Sequence, residues 1–200
     1  METLKLTADD FTPAKDGYKD YTGKVDLNAE FDGSVEIAGG LGWVRFAKSV
    51  RVRFDLTIKA GSGIEAGEGI KAGSGIEAGE GIEAGDGIKA GEGIKAGDGI
   101  KAGDGIEAGE GIEAGDGIEA GWGIKAGWGI EAGWGIEAGD GILSGLTVTC
   151  KKVLSFRLRL FAGTATWKET ADNTVTCGQL DGGEVAYGIV KEIGIPGEVG

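Results

Sequence analysis

Histidine is missing from all 200 residues. Its absence removes Ser-His and Cys-His activation of a nucleophile, imidazole metal sites and the usual general base near neutral pH. Two cysteines, Cys150 and Cys177, are too few for a disulfide scaffold. No apolar run approaches the ~20 residues that cross a bilayer. The opening Met1-Glu2-Thr3-Leu4-Lys5 carries no apolar signal segment. A cytoplasmic location is expected, in the host cell if the chain is phage- or plasmid-encoded. Proline occurs twice, and glycine does not fall on every third residue, so collagen is excluded.

Order replaces what is lacking. Glycine fills 43 positions, and from Ile58 to Ile142 a six-residue unit, Gly-Ile-(Glu/Lys)-Ala-Gly-(acidic/Ser/Trp), repeats almost without interruption. Ile and Ala stand two apart, so on an extended backbone both face one way and the Glu or Lys between them faces the other. The Gly-x-Gly that follows weakens a strand and supplies the positive φ of tight corners. A helix does not fit, because two glycines per hexad would cost roughly 2 kcal/mol relative to alanine. The expectation is an all-β parallel solenoid, each unit covering the apolar face of the one before it.

This pattern resembles the hexapeptide repeat of left-handed parallel β-helices, in which three hexads make one triangular coil. The resemblance covers about half the chain. It departs in order: that family places the large aliphatic residue directly before glycine, whereas Ile64-Glu65-Ala66-Gly67 reverses it. A flat coil of two hexads stays open on this reading. Acyltransferases of the hexapeptide class rely on a histidine base, so the resemblance does not bring that activity with it.

Residues 1–45 read as an N-terminal cap and early irregular coils. Thr7-Ala8-Asp9-Asp10 can start a short helix, and Asp16-Gly17 signals a turn. Val25, Phe31, Ile37 and Trp43 are again six apart, as coils or as a hairpin about Asp32-Gly33. Residues 46–163 form the hexapeptide solenoid, its phase set by Phe46, Val52 and Ile58 and kept by Val148, Leu154 and Leu160. Cys150, Phe156 and Ala162 then take the alanine positions, which buries Cys150, as a free thiol or in a bridge with Cys177. Residues 164–200 lose the period and read as a C-terminal cap or dimerisation element. Short strands are expected at Thr166-Trp167-Lys168, Thr174–Cys177 and Glu184–Tyr187, with a turn at Asp181-Gly182-Gly183.

The net charge is −13, and from Gly61 to Ile142 the chain holds 17 acids against 5 lysines. Carboxylates at the variable corner, Glu80, Asp86, Glu92, Asp98, Asp104, Glu110 and Asp116, would stack in columns about 4.8 Å apart. A rod bearing such columns approaches a nucleic acid in charge, and resembles in principle the acidic pentapeptide-repeat DNA mimics and the anti-CRISPR and anti-restriction inhibitors. Trp122, Trp128 and Trp134 replace acids at three consecutive corners. In a three-hexad coil they ring one coil; in a two-hexad coil Trp122 and Trp134 share an edge. Exposed tryptophan points to a protein contact. Arg45, Lys48, Arg51 and Arg53 before the acidic stretch, and Lys151, Lys152, Arg157 and Arg159 after it, are expected to pair within the chain or with another copy.

Asp-Gly steps suggest calcium, but the Gly-Gly-x-Gly-x-Asp spacing of calcium-binding β-helices is absent, so no cofactor or metal is expected. The sequence therefore predicts a non-enzymatic binding protein. Its partner would be a basic nucleic-acid-binding protein or complex, inhibited by charge mimicry, with a second copy of the chain as another partner. Direct binding to nucleic acid or membrane is not expected. The alternative is a structural rod or adhesin-like assembly protein attached through its Trp corners.

Overall fold

A computed structural model of the chain describes residues 2–167 and 172–196. The Ile-(Glu/Lys)-Ala alternation folds as three-residue strands such as Ile76–Ala78, Ile82–Ala84 and Ile88–Ala90. In each, the outer two side chains are buried and the middle one is not. Ile76 pairs in parallel with Ile94, Ile82 with Ile100 and Ile88 with Ile106. Each partner lies three hexads further along the chain, so three hexads complete a coil and the two-hexad coil is excluded. The protein is an all-β parallel solenoid with three flat faces.

The first face is a ten-stranded parallel file from Thr3–Leu6 to Ile189–Glu192 that includes Ile76–Ala78. The second face carries Ile82–Ala84 and the third carries Ile88–Ala90. These two join at the long strand Val153–Phe161, where Leu154 lies on Ile136 and Leu160 on Ile142. One continuous core fills the interior, and the isoleucines from Ile64 to Ile142 are at most 2% exposed. Each buried isoleucine contributes about 1.5–3 kcal/mol from desolvation.

The repeat glycines do not serve the role expected from sequence. Positive φ occurs at Gly61 and Gly163, flanking the regular coils, and at no glycine between them. Close approach explains their presence instead. A Cβ on Gly103 would stand 1.9 Å from the carbonyl oxygen of Gly85 in the coil below. The Gly103 N–H meanwhile bonds the Ala84 carbonyl at 3.0 Å. Coils touch backbone to backbone at the glycine that follows each alanine, and a side chain there would hold them apart.

Between Phe46 and Gly163 the phase also shifts once. Val44 pairs with Ile64, Val50 with Ile70 and Leu56 with Ile76, each three hexads and two further positions on. Phe46, Val52 and Ile58 consequently stand over Ala66, Ala72 and Ala78, in the alanine columns. Two extra residues sit near Gly61, where φ is 76° and the Ser62 N–H donates to Lys59 O at 3.1 Å. Ser62 is buried with both roles of its hydroxyl used, donating to Ala38 O and accepting from the Leu41 N–H.

Early coils replace the hairpin about Asp32-Gly33. Ser34–Ile37 runs parallel to both Thr3–Leu6 and Leu56–Ile58, and Phe31 bridges Val52 in parallel. Trp43 leaves the inward phase, which passes to Val44, and its ring lies against Gly63 and Gly81. A true hairpin caps this end, Phe11–Pro13 against Lys19–Tyr21, with Gly17 in its turn. Its Phe11 and Tyr21 rings pack on Phe46, centroids 5.9 and 4.7 Å away. Ala8–Asp10 forms a short 3-10 turn closed by a capping box between Thr7 and Asp10.

At the other end Thr174–Cys177 and Gln179–Tyr187 continue the parallel files. Asp181-Gly182-Gly183 is no loop between strands. It lies inside Gln179–Tyr187, over a register shift between Phe156 and Arg159 where the ladder crosses a corner. Gly182 and Gly183 there pass so close to the Phe156 and Leu158 carbonyls that a side chain would collide. Thr166 and Trp167 form a turn rather than the expected strand, and Lys168 lies outside the described residues. Cys150 and Cys177 are both free and buried, on neighbouring strands of the first face. Burial pushes the Cys150 thiol up to about 12.

Candidate functional site

The three-hexad coil sorts the variable residues into three corner columns, each tied by a main-chain hydrogen bond from one coil to the next. The first column runs Glu80, Asp98, Asp116, Trp134. The second runs Glu68, Asp86, Asp104, Trp122, Asp140. The third runs Ser74, Glu92, Glu110, Trp128, Leu146. The seven corner acids singled out from sequence are therefore split among three separate edges. Asp86, Glu92, Asp98, Glu110 and Asp116 are exposed, while Glu80 and Asp104 are half-buried. None of the seven has an ion-pair partner among the described residues.

The three tryptophans ring one coil, one at each corner. Trp122, Trp128 and Trp134 are 63, 45 and 57% exposed. Their surroundings differ. Lys152 places its ammonium 3.9 Å from the centre of the Trp134 ring, a cation–π contact. Trp122 and Trp128 instead flank the third face, where the next two outward positions are Leu143 and Phe161. Tyr187 stands beside Phe161 one strand farther on, and Leu158 joins the panel from the second corner at 53% exposure. An apolar panel on the outside of a rod marks a contact surface. Sequence reasoning missed Leu143, Leu158 and Tyr187, because only the three-hexad register shows that they gather beside two of the tryptophans.

The flat faces are not uniformly acidic. Outward residues on the first face are Glu77, Lys95, Glu113 and Glu131. Those on the second are Glu65, Glu83, Lys101, Glu119 and Glu137. The third face carries Lys71, Lys89, Glu107 and Lys125, with Arg51 below them, and is net basic. The glycine before each isoleucine leaves a groove beside this column, about 860 Å³ in volume and reaching from Arg51 to Phe161.

Ion pairs step from coil to coil along these columns: Lys95 to Glu113, Lys101 to Glu119, and both Lys89 and Lys125 to Glu107. Hydrogen bonds from those two lysines hold the Glu107 carboxyl below the usual range. Glu83 behaves oppositely: burial and then the Glu65 charge beneath it push its carboxyl up.

Of the eight basic residues flanking the repeat, four form ion pairs among the described residues, three of them with the caps. Arg45 binds Asp16 and Asp20, at 2.7 and 2.8 Å. Arg53 binds Asp32, and Arg159 binds Glu184. Arg157 binds Asp140, a corner acid of the repeat. Among the described residues no group of three or more Cys, Asp or Glu is arranged to hold a metal ion, and no helix is long and apolar enough to cross a membrane. No protein-family model matches the chain, and no curated protein or solved structure matches it.

Proposed function

We propose that this chain is a non-enzymatic binding rod that holds a protein partner against its tryptophan-ringed coil. The observation that carries the reading is the exposure of Trp122 and Trp128 on one coil, beside the panel of Leu143, Leu158 and Tyr187. Indole supplies more binding energy per residue than almost any other side chain, and a partner that covers it recovers its hydrophobic area. Acidic corner columns below the ring would steer a partner with a basic rim and raise its association rate. Trp122 and Trp128 with the panel form the centre of this contact. Trp134 stands at the corner away from the third face and lies outside it.

The test is a quantitative pull-down from the source organism's lysate, comparing the native chain with a Trp122→Ala/Trp128→Ala variant of unchanged circular dichroism. A specific protein retained by the native chain and lost by the variant supports the reading. An identical retained set overturns it.

A second reading, charge mimicry of nucleic acid, draws on the three corner columns with their unpaired carboxylates. Their spacing of about 4.8 Å compares with about 3.4 Å between phosphates of one strand. Asp98→Asn with Asp116→Asn neutralises two neighbours of one column, so mimicry requires that pair to weaken binding to a basic partner. A retained partner sensitive to the tryptophan changes and indifferent to these favours the first reading.

A further inference from the structure

The second and third faces carry opposite charge strings. From Glu65 to Glu137 the second face reads minus, minus, plus, minus, minus. From Lys71 to Lys125, on the same coils, the third face reads plus, plus, minus, plus. The sign is inverted at these four levels; the level beneath carries Arg45 and Arg51, both positive, with Arg45 held by Asp16 and Asp20. The second-face string is also a palindrome, so the match survives reversal of one rod. Pairing within a single chain does not require such inversion, because the two faces of one coil point away from each other. Ion pairs within the chain run along a column, from one coil to the next.

We propose that the third face of one copy seats on the second face of another, so that these rods associate side by side. Each face contains a like-charged step, Glu65 under Glu83 on the second and Lys71 under Lys89 on the third, the latter eased by Glu30, 3.6 Å from the Lys71 ammonium. Stacked like charges destabilise a sheet, and the Glu65 charge adds to burial, the larger cause, in pushing the Glu83 carboxyl up. Docking sets the Glu65–Glu83 step against the Lys71–Lys89 step. The groove beside the third-face column gives the opposing carboxylates room to enter. Because different faces meet, the contact is heterologous and leaves one of each kind unused on the terminal copies. Association therefore runs beyond a closed dimer, to a ring or an open array.

The experiment is sedimentation velocity over a concentration series at ~0.15 M salt, which screens the long-range repulsion of two chains beyond about 8 Å. Two charge-reversed variants are compared, neither touching the tryptophans. Lys89→Glu/Lys125→Glu alters the third face and takes the net charge from −13 to −17; Glu83→Lys/Glu119→Lys alters the second and takes it from −13 to −9. The native chain is expected to sediment faster as concentration rises. Each variant alone should stay monomeric, and an equimolar mixture should associate again, since each supplies the face the other has lost. The second variant decides between local pairing and general repulsion: with less net charge, it would associate more readily than the native chain if repulsion governed. Circular dichroism checks both folds, and Lys89→Gln/Lys125→Gln replaces the first variant if it unfolds. A native chain monomeric at every concentration overturns the proposal, as does association of either variant alone or a mixture that stays dissociated. Loss of the tryptophan-dependent partner would leave this result untouched, so the two proposals fail separately.

Discussion

Glu107 accepts one lysine from the coil below and one from the coil above, Lys89 at 2.8 Å and Lys125 at 3.0 Å. It is the single acid in the described outward column of the third face from Lys71 to Lys125; Lys71 pairs with Glu30 instead, at 3.6 Å, so Glu107 relieves Lys89 and Lys125. Its carboxyl is held low in the folded state, so the stabilisation is present above the unfolded carboxylate pKa and is lost as pH falls through the folded value. Glu107→Gln should lower stability at pH 7 by less than about 1 kcal/mol, since the pair is solvent-screened. The difference from the native chain should vanish near pH 3. Urea unfolding at the two pH values measures it.

Glu83 predicts the opposite sign. Its carboxyl is displaced upward, so the folded state holds its proton more tightly than the unfolded chain does. It favours the fold at low pH, and that contribution is lost as pH rises through the folded value. Glu83→Gln should therefore leave the protein as stable or more stable at pH 7, with the gain disappearing below the carboxylate range. The same unfolding series, run beside Glu107→Gln, distinguishes the two.

Two repeat glycines should respond differently to alanine. At Gly103 the new Cβ meets the Gly85 carbonyl at 1.9 Å, and overpacking of that kind costs about 1–3 kcal/mol or more. At Gly117 the nearest atom is the Gly135 oxygen at 3.4 Å, an ordinary contact. There alanine restricts the unfolded chain and should be neutral to stabilising, by up to about 1 kcal/mol. Denaturant midpoints of Gly103→Ala and Gly117→Ala check the contrast.

The two thiols are 0% exposed, and burial holds both pKa values up. Since the thiolate is the reactive form, the folded protein should react with a thiol-directed disulfide reagent at pH 8 orders of magnitude more slowly than the unfolded chain. Unfolding should release both cysteines. Absorbance of the liberated thiolate, with and without guanidinium, reads the result.

The interior was legible because isoleucine and alanine are two apart and nothing competes for the inward positions. Its register was not fully so. Ile58 and Ile64 are six apart like every later pair, yet two extra residues near Gly61 shift one from the alanine column to the isoleucine column. A local spacing cannot report an insertion that preserves it. The glycines were read as conformational devices because a sequence shows a missing side chain but not the carbonyl lying against it. The corner tryptophans were visible as breaks in pattern, and their ring around one coil follows once a coil takes three hexads. The basic third face escaped because its lysines are spread among glutamates along the chain. Lys71, Lys89 and Lys125 become neighbours only on counting every third hexad.

That count has a genetic consequence. Excising three hexads of the repeat shortens the rod by one storey and returns every later side chain to its own wall. Excising one leaves a sequence whose rhythm looks untouched, yet turns everything beyond the cut by a third of a revolution. Lysines would then continue a wall of glutamates, and the leucine panel would swing to another side. Copy-number slippage in such a gene is tolerated in threes, while single-unit slippage rewrites the surface without disturbing the interior.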